Sequence, residues 1–250
     1  MDLSEQDAGE DWSAPPVALP EPAANVHLWR VLLDVVAADI DCLSADERAR
    51  ADKLIHVQHR NRFVAMRSAV RSILSRYLET TPDSIAFAYA EKGKPSISKG
   101  QNNLDLRFNL SHSGGIGLLA ITVGREVGVD VETRQEVLDF MAVARRFFAA
   151  REYRELSALP QDLRQRAFLR CWTRKEAYVK ALGAGLACSL QSFSVSVSPD
   201  VTDNALLEAG EARALYVADV SLPDECFAAI ALEGRSLPRC CWTYSVTAAE

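Results

Sequence analysis

At 250 residues, 48% hydrophobic and 25% charged, the chain has the composition of a soluble globular protein with room for one large domain or two modest ones. A formal charge of −6 argues against a dedicated nucleic-acid binder, and no apolar run approaches the ~20 residues of a membrane-spanning helix. The acidic start MDLSEQDAGEDW has no signal-peptide character, and six cysteines without a CxxC pair exclude compact zinc and disulfide scaffolds, which together predict a cytoplasmic protein with reduced thiols.

Residues 1–24, acidic and then Pro/Ala-rich, read as a flexible tail that buries little. A first strand is expected over His27–Val36, with Trp29, Val31 and Leu33 on one face. Ser44 and Glu47 fit the S-x-x-E capping box, so a helix should begin at Ser44. From Arg60 to Leu78 the residues Phe63, Met66, Val70, Ile73, Leu74 and Tyr77 recur at helical spacing. Arg60, Arg67 and Arg71 share another face, which is either a solvated charged surface or a cradle for an anion. Past the Thr80–Ser84 turn, Ile85, Phe87 and Tyr89 alternate as a strand, and Glu91–Pro95 is a turn. Leu104, Leu106, Phe108 and Leu110 alternate with polar residues and lead into Ser111-His112-Ser113-Gly114-Gly115. Ile116–Val123 and Val127–Glu132, joined by Gly124-Arg125-Glu126, read as a hairpin. Val137–Leu159 is helical in character, and a further helix spans about Leu163–Leu182 and stops at Gly183 and Gly185. Strands are expected near Phe193–Val197, Ala212–Val220 and Cys226–Leu232, with a fourth at Cys240–Val246. Helices and strands without regular βαβ alternation favour the α+β class.

The strand period puts Asp130 and Glu132 on one face and Val129 and Val131 on the other. Such a pair is either a solvent-facing acidic patch or, because neighbouring anions repel, a site for a hard divalent cation. Glu176 and Lys180, four apart on a helix, form either a surface ion pair or a ligand-or-base and a phosphate clamp, and Trp172 one turn earlier makes a fully exposed face less natural. Gly115-Ile116-Gly117-Leu118-Leu119-Ala120 matches the dinucleotide fingerprint, but a β-branched run ending at Gly124 leaves no helix to hold a pyrophosphate. Neither Ser111 nor Ser113 stands in G-x-S-x-G. His56 and His59 lack a third ligand nearby and read as polar surface, and the cysteines as small core residues.

Taken in order, Gly93-Lys94-Pro95, Phe108-Asn109-Leu110-Ser111-His112-Ser113, Val127-Gly128-Val129-Asp130-Val131-Glu132, Arg146-Phe147-Phe148, Glu152-Tyr153 and Trp172-Thr173-Arg174-Lys175-Glu176-Ala177-Tyr178-Val179-Lys180 resemble the Sfp-type 4′-phosphopantetheinyl transferases over about Arg48–Val197. The resemblance implies two similar α+β halves, residues 25–124 and 125–250, related by a pseudo-twofold axis with the active site in the cleft between them, in a monomer. It implies transfer of 4′-phosphopantetheine from coenzyme A to a serine of an apo acyl or peptidyl carrier protein, as in secondary metabolism, with release of adenosine 3′,5′-bisphosphate. Asp130, Glu132 and Glu176 match the Mg²⁺-binding positions, with Mn²⁺ as the alternative metal. Glu176 is also the candidate base, and Lys180 the pyrophosphate clamp. Ser111 and His112 match residues near the 3′-phosphate, and Lys94 and Pro95 the edge of the adenine pocket. Arg62 and Arg67 match basic residues for the nucleotide phosphates, with Arg60 or Arg71 as substitutes. Thr173, the tail and the region beyond Ser198 depart from the pattern. A metal-dependent phosphohydrolase would use the same acids and cations but consume coenzyme A without a protein acceptor, and a non-catalytic coenzyme A or carrier-binding module would not need three intact acids.

Overall fold

The computed structural model describes residues 10–133, 139–183, 188–208, 215–222 and 226–245. Parts of the elements expected from sequence, namely the tail at 1–9, residues 137–138, Gly185, residues 212–214 and Val246, lie outside them.

Strand β1 (Val26–Leu32) is apolar on both faces, with Trp29 and Val31 buried on one and Val26 and Leu28 on the other, so it needs cover on both. It pairs antiparallel with β5 (Ile116–Val123) and parallel with β11 (Arg239–Tyr244), and β4 (Leu106–Ser113) lies beyond β5. The first sheet therefore runs β11-β1-β5-β4. Helix α2 (Val57–Leu78) covers one face, where Met66, Ala69, Val70, Ile73 and Leu74 meet Trp29, Val31, Leu119 and Ile121. Helix α1 (Ala45–Asp52) starts at Ser44, as the capping pattern predicts, with the Ser44 amide donating to the Glu47 carboxylate at 3.0 Å.

A second sheet, β6 (Val127–Thr133), β10 (Cys226–Glu233) and β9 (Leu215–Asp219), runs antiparallel in the order β6-β10-β9. Its inner face, including Val127, Val129, Val131 and Ile230, packs on Val26, Leu28, Leu118 and Ala120 of the first sheet. Its outer face carries α5 (Gln161–Leu182), with α3 (Phe140–Phe147) and α4 (Ala150–Ala158) beside it. The layers are thus helix, sheet, sheet, helix. A Cβ on Gly128 would lie 2.1 Å from Ala177 O and 2.4 Å from Ala181 N, so glycine lets α5 rest directly on the β6 backbone. A short hairpin of β2 (Phe87–Tyr89) and β3 (Pro95–Ile97) and a small pair of β7 (Ser194–Val195) and β8 (Leu206–Glu208) complete the fold.

The α+β class holds, but several local expectations change. β5 and β6 do not form a hairpin: both edges of β5 are already taken by β1 and β4, so the turn at Gly124 (φ +65°) carries the chain into the second sheet. The hairpin lies one connection earlier, between β4 and β5. Of the helical stretch ending at Leu159, the described part is two helices, because Glu152 reaches back to the Ala149 amide at 2.7 Å and starts a new one. The last strand, expected at Cys240–Val246, is β11, and it pairs with β1 of the first sheet. Residues 10–17, expected in a mobile tail, are tied down: Ser13 bridges to Trp242, Trp12 donates to Ser221 O at 2.7 Å, Glu10 pairs with Arg239, and Arg76 holds Pro16 O at 2.6 Å.

Candidate active site

β4 and β6 lie at the adjoining edges of the two sheets, and polar side chains of β4 join them. Asn109 Oδ1 accepts from the Val129 amide at 2.9 Å, Ser111 donates to Asp130 Oδ1 at 2.8 Å, and Ser113 donates to Glu132 Oε2 at 2.8 Å. The strand period of two puts all three β4 residues on one face, opposite the two acids. Sequence reasoning picked out Ser111 but missed Asn109 and Ser113, although the same alternation contains them.

Gly128 brings α5 onto this face of β6, and with it Glu176 and Lys180. Lys180 Nζ stands 2.6 Å from Asp130 Oδ1 and 2.8 Å from Ser111 Oγ. Asp130 is buried, and its other oxygen, Oδ2, has no hydrogen-bond partner among the described residues. Burial raises the Asp130 pKa, against the lowering effect of Lys180. Glu132 is raised by burial and then by the charge of Asp130; Glu176 is raised by burial and then by Asp130, with Glu132 contributing. The three carboxylates therefore share one electrostatic site. The Glu176 side chain makes no hydrogen bond or ion pair among the described residues. No cluster of three His, Cys, Asp or Glu is already drawn together as a metal site among those residues, and the Lys180 ammonium supplies the nearest neutralising charge. An orphaned buried carboxylate oxygen and mutually destabilised acids nevertheless fit a hard cation with oxygen ligands.

The expected nucleotide residues divide into two groups. Arg67 and Arg71 are buried against Glu47, with Nε–O distances of 2.6 Å each, and Arg60 pairs with Asp52 at the surface. The arginine face is thus mostly a structural lock between α1 and α2, with the Arg67 guanidinium also forming part of a cleft wall. Arg62 is held by Asp34 through two hydrogen bonds of 2.8 and 2.6 Å. Desolvation, then the positive charges of Lys180, Arg50 and Arg62, lower the pKa of His112. A cleft of about 300 Å³ beside it is lined by Arg50, Phe63, Tyr89, Gly93, Pro95 and His112 among others. Arg50 is a residue that sequence reasoning missed; its only signal was the basic stretch after Arg48. Pro95 borders this cleft, whereas the Lys94 ammonium points away, to Glu126 and the end of α5. His56 and His59 stack edge to face on the exposed surface with ring centroids 5.3 Å apart.

The other polar residues of the α5 motif anchor the helix. Arg174 is bidentate on Asp219 and donates to Ser196 O, and buried Lys175 binds Glu152 Oε1 at 2.7 Å and Phe193 O at 2.9 Å. With α5 fixed in this way, Glu176, Lys180, Trp172, Val179, Phe147 and Arg146 line an open groove of about 770 Å³.

Two adjoining sheets, three coupled carboxylates with a lysine among them, and a cleft bearing Arg50, Arg67 and His112 as well as Asp46 and Glu47 alongside make up the candidate site. Residues 27–123 match the family model described as 4′-phosphopantetheinyl transferase, N-terminal, and residues 126–230 that of the 4′-phosphopantetheinyl transferase superfamily. The chain is 37% identical over 237 residues to the 4′-phosphopantetheinyl transferase HetI of Nostoc sp., covering 93% of this chain and 98% of that one. It is 32% identical over 158 residues to the 4′-phosphopantetheinyl transferase Sfp of Bacillus subtilis, covering 63% of this chain and 68% of that one. A mouse L-aminoadipate-semialdehyde dehydrogenase-phosphopantetheinyl transferase is 27% identical over 165 residues, covering 63% and 53% of the two chains. The chain belongs to the 4′-phosphopantetheinyl transferase family. It is an enzyme that transfers phosphopantetheine from coenzyme A to carrier proteins.

Proposed function

We propose that the transfer takes place at Asp130, Glu132, Glu176 and Lys180, and that the first three hold a Mg²⁺ ion, for which Mn²⁺ can substitute. The observation that carries this reading is the buried Oδ2 of Asp130, without a hydrogen-bond partner among the described residues and beside two further carboxylates whose ionisation the Asp130 charge opposes. The bound cation would neutralise charge growing on the coenzyme A pyrophosphate. Lys180 exchanges its contact with Asp130 for a pyrophosphate oxygen, and Glu176 accepts the proton of the carrier serine, directly or through water. The serine oxygen then bonds to the β-phosphorus, and the bond to the α-phosphate breaks with release of adenosine 3′,5′-bisphosphate. His112, Arg62 and the Arg67 wall orient the nucleotide phosphates, and Pro95, in the turn that also contains Lys94, borders the base. Ser111 holds Asp130 and Lys180 in register beneath them.

The two 22-residue helices, each laid on an antiparallel or mixed sheet, support two related halves with the site at their seam. A monomer in the cytoplasm that serves acyl or peptidyl carriers of secondary metabolism is consistent with this reading; no helix among the described residues is long and apolar enough to cross a membrane.

Intact-mass analysis of an apo carrier protein incubated with coenzyme A tests the assignment. A chelator should abolish the phosphopantetheine adduct, and added Mg²⁺ or Mn²⁺ should restore it. Glu176→Ala should lower turnover by about a thousandfold or more while leaving the circular-dichroism spectrum intact. Near-normal turnover by that variant would defeat the reading, and coenzyme A consumption without an adduct would favour the phosphohydrolase.

A further inference from the structure

Two ammonium groups link α5 to β6: Lys180 at the acids, and Lys94 from outside both elements. Lys94 follows Gly93 (φ +83°) in the turn between β2 and β3, and its side chain is 18% exposed. Its Nζ stands 2.8 Å from Glu126 Oε2, 3.3 Å from Val127 O and 3.2 Å from Ala181 O. Three N–H groups meet three acceptors, an arrangement suited to an ammonium. Ala181 O belongs to the last turn of α5, whose carbonyls lack helical partners and favour a nearby cation. Gly183 ends that helix at φ +64°, and a Cβ there would lie 3.5 Å from Lys94 Cδ, so the lysine stem runs along the cap. Glu126 is itself held by Arg107 at 3.0 Å.

The positions of these contacts in the chain give them meaning. Val127 is three residues before Asp130, and Ala181 immediately follows Lys180. We propose that Lys94 is a positioning residue for the transfer: its ammonium sets the C-terminal turn of α5 against the start of β6, and so places Glu176 and Lys180 against Asp130 and Glu132. Because Gly93 and Pro95 line the cleft beside His112, the same turn couples this fit to the proposed nucleotide side of the site. The inference rests on the roles given above to those four residues.

Lys94→Met keeps the stem and removes the donors. Steady-state transfer to an apo carrier should show kcat reduced about ten- to a hundredfold, with the KM for coenzyme A within about threefold of the parent. The Mg²⁺ concentration for half-maximal rate should rise severalfold, and Lys94→Arg should restore part of kcat. A preserved kcat with a greatly raised KM would make Lys94 a nucleotide ligand instead. A lowered melting temperature with unchanged kcat and KM would make it structural only. If Lys94→Met fails to fold, Glu126→Gln should show a weaker form of the same kcat and Mg²⁺ effects, and an unchanged kcat there would equally overturn the proposal. Should Glu176→Ala remain active, the site assignment fails; should Glu176→Ala be inactive while Lys94→Met keeps its kcat, only the role of Lys94 fails.

Discussion

His27 sits fully buried on β1, where its Nδ1 is 2.7 Å from Tyr77 Oη. Trp29 Nε1 donates to that oxygen at 3.0 Å, so the phenol ties His27 and Trp29 together in the core. Burial lowers the His27 pKa from 6.5 to about 4. A depressed histidine pKa means that the unfolded chain binds the proton first as the pH falls. The stabilisation is complete above about pH 6.5 and is lost progressively down to about pH 4, for a total of about 3 kcal/mol. Urea-denaturation midpoints of the parent should therefore fall between pH 7 and pH 5, and His27→Phe should flatten that dependence; an equally steep slope in the variant would refute the assignment. Nothing in the sequence marked His27 as special, because the partner that explains it, Tyr77, is 50 residues away on α2. Asp130 and Glu132 were legible as a pair from strand alternation alone. Glu176 became legible only through the ordered motifs of a family, since the sequence does not reveal that Gly128 lets its helix touch their strand.

At the scale of elements, the capping signal at Ser44 and Glu47 was readable, but its second use was not. The Glu47 carboxylate that starts α1 also holds Arg67 and Arg71 of α2, with side-chain exposures of 3%, 9% and 1%. Helical spacing put the arginines on one face and left open whether an anion met them; the anion is the protein's own. Glu47→Gln would leave two buried guanidinium groups short of charge and should cost about 3–5 kcal/mol. Urea denaturation at pH 7 checks this, and a loss below about 0.5 kcal/mol would place the value of the pair at the surface level. A similar pairing joins α4 to α5 through Glu152 and Lys175, both fully buried. Such locks escape sequence reading because each partner alone resembles an ordinary charged helix residue. Strand order is hard to read for the same reason: β5 and β6 are close in sequence, and only the occupied edges of β5 decide that they do not pair.

For the whole molecule, the segment before β1 acts as a strap. Trp12 hydrogen-bonds Ser221 O and lies under the Arg30 guanidinium at 5.4 Å, while Ser13 bridges to β11, so the strap spans both sheets far along the chain from Asp130, Glu132 and Glu176. Trp12→Ala should lower stability by about 1–3 kcal/mol in thermal denaturation while leaving the KM for coenzyme A unchanged. Composition suggested a loose tail because it counts prolines and acids and cannot register one well-placed tryptophan. The parallel pairing of β1 with β11 has a different consequence, in biosynthesis. One side of β1 stays open until residues 239–244 leave the ribosome, more than 200 residues after β1 itself. At ordinary elongation rates that interval is roughly ten to forty seconds, during which a strand apolar on both faces offers an unpaired edge to any neighbouring nascent chain. Translation speed and chaperone supply should therefore bear on the soluble yield of this enzyme.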